Sequence, residues 1–318
     1  MNRWIVGRIF LTLLIGLLWV KTASAAEVWV ANQLSDTISI IDTETLAVLT
    51  TIPSGGKAPH NITFSPDGKA AWVTHVGSNT ISIIDSATRE VTTILPAGTR
   101  AHAVTFSPNG TLAYITNPGS NDLWIIDVLT KKVVERISVG KAPQMVVFSR
   151  DGTQVFVSLS GDEEVRVLDA ATHKTIATIP TGKDAMGLGL SSDGRYLYVT
   201  TGGESRVVVI DTTSLKEVRS IETGFDTHGL AVSPDGRYVY VANRGSNTLS
   251  VIDTKTNTIT RSIPTGKSPD MLTLSPTGRR MYVTNRGDDT ISAIDIVSAQ
   301  IMAIISVGSA PHGIAFRP

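Results

Sequence analysis

The chain contains no cysteine. That absence removes disulfides, thiolate metal sites, iron–sulfur clusters, thioether-bound haem, a lipoprotein anchor and cysteine nucleophiles at once. Histidine, carboxylate and methionine remain as metal ligands. No charge of one sign prevails, because 28 Lys and Arg face 28 Asp and Glu. The balance excludes a polycationic nucleic-acid arm, and with 42% apolar residues it also excludes a disordered chain. No Gly-rich dinucleotide fingerprint follows a strand, and no Ser-His-Asp arrangement stands out, so no organic cofactor site and no catalytic set is identified. No stretch has the 3.6-residue period of an amphipathic helix.

The one long apolar run lies at the start. Arg3 and Arg8 precede the stretch from Ile9 to Val20, and Ala23-Ser24-Ala25 forms a small-residue cleavage site. Residues 1–26 therefore read as an export signal, with residues 27–318 as the mature domain. Cleavage removes Arg3, Arg8 and Lys21 but no acid, leaving a net charge of about −3. The expectation is a periplasmic or secreted protein, monomeric, without a nucleic-acid partner and without a membrane span after cleavage.

What the sequence does have is repetition. An Ile/Leu-Asp pair recurs at Asp42, Asp85, Asp127, Asp169, Asp211, Asp253 and Asp295; the first interval is 43 residues and the others 42. The extra residue is the Gly55-Gly56 doublet. Seven such units use up the chain after residue 26, leaving no room for a second domain.

Each unit holds four short runs rich in Val, Ile, Thr, Tyr and Trp, in the second unit His60–Phe64, Ala71–His75, Thr80–Asp85 and Glu90–Leu95. Turns such as Ser65-Pro66-Asp67-Gly68 separate them, with Pro suited to a type I turn and Gly to a positive φ. The pattern predicts an all-β protein, a seven-bladed β-propeller of four-stranded antiparallel blades. The chain starts in a second strand (Val28-Trp29-Val30) and stops after a first one (Pro311 to Phe316). The C-terminal strand is therefore expected to complete the N-terminal blade and close the ring.

The segments Tyr282-Val283-Thr284-Asn285, Tyr240-Val241-Ala242-Asn243, Tyr114-Ile115-Thr116-Asn117 and Tyr198-Val199-Thr200-Thr201 precede Gly-Ser-Asn-Thr-type loops and a Val/Ile-Ile-Asp run. All seven units resemble the YVTN-type propeller repeat. As an exported seven-unit chain it most resembles the propeller proteins associated with PQQ-dependent alcohol catabolism. It does not resemble the quinoprotein dehydrogenases themselves, whose blades carry many docking tryptophans; only Trp29, Trp72 and Trp124 fall in the mature chain.

One repeat column, at the start of the innermost strand, reads His60, His102, Gln144, Met186, His228, Asp270 and His312. Innermost strands line the channel of a propeller, so one column forms a ring at its mouth. Five consecutive blades then offer His228, Asp270, His312, His60 and His102 as a candidate site for a transition metal such as copper or zinc. His75, expected roughly opposite His60 across the hairpin, is a sixth candidate. The alternative is inheritance: duplication copies residues, and a channel-mouth histidine can simply bond backbone and water.

The same mouth carries Lys57, Arg100, Lys141, Lys183 and Lys267 on loops entering the inner strands, with Arg244 and Arg286 after second strands. These form a candidate rim for an anion or a partner. Asp162, Glu163, Glu164, Asp184, Asp226, Asp288 and Asp289 lie in similar loops and argue for an ordinary solvated face. The recurrent Ile/Leu-Asp carboxylates are expected to accept backbone N–H bonds in turns. His173, in one of those turns at the opposite face, is expected to be exposed.

Two functions fit. The first is an exported binding or scaffold accessory protein with a periplasmic protein partner or small ligand, attached by resemblance to PQQ-linked alcohol oxidation and transport. The second is a metal-dependent enzyme with a His-rich site at the channel mouth.

Overall fold

The computed structural model describes residues 26–317. The export signal read from the first 26 residues lies outside this range except for Ala26. Twenty-eight strands form seven four-stranded antiparallel sheets, and a single 3-10 turn, Gly202–Glu204, is the only helix among the described residues. No helix there is long and apolar enough to cross a membrane.

The local chemistry that builds each blade repeats with the sequence. In blade 2 the strands are Pro59–Phe64, Ala70–His75, Thr80–Asp85 and Val91–Pro96, within a residue of the runs read from the sequence. In the first turn the Ser65 hydroxyl accepts the Ala70 N–H and donates to Asp67, while Gly68 takes φ 69°. In the next turn but one, Asp85 Oδ1 accepts the N–H groups of Ala87 and Thr88. Asp42, Asp127, Asp169, Asp211, Asp253 and Asp295 do the same in their own turns. These carboxylates are turn formers, as expected.

The middle two strands of each blade are almost wholly buried, and the outermost strand is largely exposed. Burial on both faces follows from stacking each sheet between two neighbours. The resulting apolar clusters lie across seams: one joins Trp72, Ile81 and Ile83 of blade 2 to Val104, Ile115 and Trp124 of blade 3.

Blade 1 consists of Glu27–Asn32, Thr37–Asp42 and Ala47–Pro53 with Pro311–Phe316 as its innermost strand. Val28 pairs with Phe316, Trp29 with Ala315 and Val30 with Ile314. Buried Glu27 pins this closure, accepting from Trp29 Nε1 at 2.8 Å, Arg89 at 2.8 Å and Arg317 at 3.2 Å. The seven innermost strands surround the axis, and the loops leading into them form one face.

Candidate functional site

The inner strands do not pair straight into their hairpins. Pro59 pairs with His75 but Ile62 with Val73, so one extra residue bulges out at the strand start. The same shift recurs in blades 1, 4, 5, 6 and 7. A bulge re-aims side chains and leaves backbone groups unpaired.

Hydroxyls of the second strand take up those groups. Thr200 Oγ1 accepts the Gly187 N–H at 2.7 Å and donates to the His228 carbonyl of the next blade at 2.5 Å. Thr74, Thr116, Ser158 and Thr284 make the same bond to the carbonyls of His102, Gln144, Met186 and His312. The column residues are therefore held by a relay running from blade to blade. Two glycines tighten it further. A Cβ at Gly229 would lie 2.3 Å from the Asp270 carbonyl oxygen, and one at Gly313 would lie 2.4 Å from that of His60. Only glycine permits this approach, and it sets His228 beside Asp270 and His312 beside His60.

The structure brings His60, His102, His228, His312 and Asp270 together. The His60 ring stacks between His102 and His312, with centroids 3.9 Å and 3.6 Å away. His102 Nδ1 lies 3.0 Å from the Gln144 carbonyl and His312 Nδ1 lies 2.9 Å from the His60 carbonyl, whereas His60 Nδ1 is buried without a partner among the described residues. Asp270, with no exposed surface, accepts on Oδ1 from Arg244 Nε at 2.9 Å and from its terminal nitrogen. Its Oδ2 has Arg286 at 3.6 Å and His312 Nε2 at 3.5 Å, neither close enough for a hydrogen bond. His228 Nδ1 stands 2.9 Å from Oδ1 but poorly aligned for one.

Burial decides the charge of the rings. It pushes His102 down to about 3, with His312 and His228 adding to the effect. It takes His312 to about 3 as well, against the pull of Asp270 and with help from His228, Arg244 and Arg286. Burial, with His102 and His312 alongside, also puts His60 well below its ordinary value. These three imidazoles are neutral at neutral pH. Burial opposes a charge on Asp270, yet the Arg244 guanidinium and the neighbouring His228 outweigh it and hold the carboxyl well below the usual range.

Above the rings opens a bowl of about 530 Å3, walled in part by Arg100, Arg244, Arg286, Gln144 and Asp184. Met145, Met186 and Met271 join the histidines around a further void of only about 10 Å3. Gln144 turns back into its own hairpin, donating to Ser160 Oγ at 2.7 Å.

Several expectations need correction. His75 does not join the cluster: the bulge sets it opposite Pro59, and its ring fills the slot above Gly56, where a Cβ would lie 2.6 Å from His75 Cγ. Asn117, Asn243 and Asn285 occupy that slot in other blades, against Gly98, Gly224 and Gly266. His75 is a packing residue, with burial taking it to about 4. Of the rim, Arg100, Arg244 and Arg286 line the bowl while Lys57, Lys141, Lys183 and Lys267 do not. Lys57 turns outward to Asp36 at 2.7 Å, and Lys267 to Asp288 at 3.6 Å. His173 is not exposed: its Nε2 lies 2.8 Å from the Tyr114 hydroxyl and its Nδ1 2.6 Å from Glu135. Sequence reasoning missed the hydroxyl relay and the two close-approach glycines. Their signals were the Thr that recurs inside the Tyr-Val-Thr-Asn segments and the pairs His228-Gly229 and His312-Gly313.

Seven four-stranded antiparallel blades closed into a ring define a seven-bladed β-propeller. The family model of the YNCE-like β-propeller matches residues 17–316, and the chain belongs to that family. Among solved structures it is similar to "Kuenenia stuttgartiensis Hydrazine Synthase", at 21% identity and a TM-score of 0.73 over 80% of this chain and 88% of that one. It is also similar to a functionally unknown protein from Desulfotomaculum acetoxidans DSM 771, at 17% identity and a TM-score of 0.81 over 92% and 99% of the two chains. At these identities the likeness carries the fold alone. No curated protein matches.

Proposed function

We propose that the protein is an exported binding propeller that takes a small hydrophilic anion in the bowl at its channel mouth. The observation that carries this reading is the wiring of Asp270. One buried carboxylate is faced by two guanidiniums, Arg244 and Arg286, and Arg100 stands on the same wall. With His60, His102 and His312 neutral, the mouth keeps an excess of positive charge beside uncommitted ring edges, which suits a carboxylate or similar anion. The accessory role in PQQ-linked alcohol oxidation that the repeat suggests belongs to the same proposal, with the anion as a product or carrier of that system. Periplasmic location rests on the leader-like residues 1–26.

Calorimetric titration with succinate tests the binding. One site is expected, weakened about tenfold or more in Arg286→Gln, since a charge-assisted bond to a carboxylate contributes about 1.5–3 kcal/mol. No heat, or equal affinity in the variant, would refute it.

A second reading has its own support. Donor atoms of His228, Asp270 and His312 lie within 4.8 Å of one another, and a neutral imidazole such as His312 is the ligating form. Copper or zinc there would have to displace Arg244 and tolerate Arg286. Near-stoichiometric metal in untagged protein, lost in His312→Ala, would favour this reading and a metalloenzyme role.

A further inference from the structure

On the face opposite the mouth, the seams between blades differ from one another in one respect. Four second strands carry a tyrosine at the same repeat position: Tyr114, Tyr198, Tyr240 and Tyr282. Two hydroxyls are satisfied by the turn of the following blade, Tyr114 by His173 at 2.8 Å and Tyr198 by donation to Asn257 Oδ1 at 3.0 Å. At that turn position Tyr240 meets Ala299 and Tyr282 meets Leu46, which have no polar side-chain atom. Both hydroxyls are buried without a well-formed hydrogen bond among the described residues, although Arg261 neighbours that of Tyr240 and Arg280 and Thr43 neighbour that of Tyr282. Each of these two tyrosines borders a cleft, about 550 Å3 at Tyr240 and about 500 Å3 at Tyr282.

The clefts differ in charge. Arg237 and Arg261 share the first with Asp235. The second lies in the closure seam between blades 7 and 1, where Arg317 is held by Glu27 and Arg279 stands near Asp295, Arg280 and Glu44 complete the charged lining, and Phe316 and Pro276 supply apolar wall. Arg280 donates one N–H to the Thr43 carbonyl and keeps the remaining donors of its guanidinium. Burial pushes the Tyr282 hydroxyl above its ordinary pKa, so it stays a neutral donor.

We propose that this cleft binds a small organic carboxylate with an apolar body. The carboxylate meets the Arg280 guanidinium and the Tyr282 hydroxyl, and the body lies against Phe316 and Pro276. A buried hydroxyl that lacks a partner is uncommon, because its desolvation goes uncompensated. A ligand oxygen here completes what His173 and Asn257 supply in the other seams. Arginine is suited to the ligand by its planar fork of donors.

Benzoate titrated calorimetrically into the full chain tests the site, with acetate as a carboxylate lacking the body and benzyl alcohol as a body lacking the charge. Benzoate is expected to bind more tightly than either. Tyr282→Phe, which keeps the ring and removes only the unsatisfied hydroxyl, is expected to weaken it about fivefold or more without lowering Tm. Tyr240→Phe should leave benzoate binding unchanged. The proposal is overturned if benzoate does not bind, if Tyr282→Phe binds it as well as the native chain, or if the loss occurs in Tyr240→Phe instead. Acetate or benzyl alcohol binding as tightly as benzoate would also overturn it.

Discussion

Asp270 is the residue on which the mouth turns. Alone it would be a buried charge that burial discourages; beside Arg244 and Arg286 it is an anchor. Removing one partner of such a group leaves the other unsatisfied, so Asp270→Asn is expected to cost about 3 kcal/mol in urea unfolding. An unchanged midpoint would show that the arginines do not depend on it. The histidines make a pH prediction with a definite sign. His102 and His312 titrate near 3 in the folded chain, against an ordinary value of 6.5. Between those values the unfolded chain binds more protons, so stability falls as pH drops from about 6.5 toward 3. Asp270, depressed from 3.8, contributes only to losses below that value. His102→Gln should make the decline shallower by about one proton. A stability profile flat from pH 7 to 4.5 would contradict neutral, buried rings.

At the scale of the element, the inner hairpin is the unit of design. Its bulge turns the column residue toward the axis, and a second-strand hydroxyl closes the exposed backbone while reaching into the next blade. Thr200→Val strands both the Gly187 N–H and the His228 carbonyl, and is expected to destabilise by about 2 kcal/mol in chemical denaturation. A change below about 0.5 kcal/mol, the range of an ordinary surface substitution, would mean that the relay is incidental. Ala31 and Ala242 stand at the same repeat position, so the ring already does without the hydroxyl at two seams. At one of them the His312 imidazole reaches the His60 carbonyl instead.

Strands, turns and their order were legible in the sequence because each rests on local chemistry. The turn aspartates, the Ser-Pro-Asp-Gly corners and the Val/Ile-rich runs state their roles within a few residues. The composition of the mouth was legible too, since a repeat column in a propeller becomes a ring. Its wiring was not. Arg244 and Asp270 are 26 residues apart and on different blades, a relation that repeat periodicity does not encode. The sequence placed Arg244 on the candidate rim but gave no sign that it turns inward onto Asp270. His75 was misjudged because an unbulged hairpin would set it across from His60, and the bulge moves that register by one.

The whole molecule is a closed ring whose last strand belongs to its first blade. The eight residues at the end test closure: deleting Pro311–Pro318 removes His312, the pairing with Glu27–Asn32 and the Arg317–Glu27 contact. The truncated chain is expected to melt well below the native one and to associate through its open edge. Unchanged Tm and an unchanged monomer by light scattering would count against closure as a source of stability. The ring also gives the two proposed sites opposite addresses. The bowl lies on the face of the loops entering the inner strands, and the Tyr282 cleft on the face of the turns. The measurement that bears most directly on the central claim is imidazole 15N NMR of the protein near pH 6.5 as succinate is added. Neutral His60, His102 and His312 whose ring signals shift and saturate with the anion are the predicted result. Signals that stay fixed while succinate binds elsewhere, or do not respond at all, would contradict a binding site at the channel mouth.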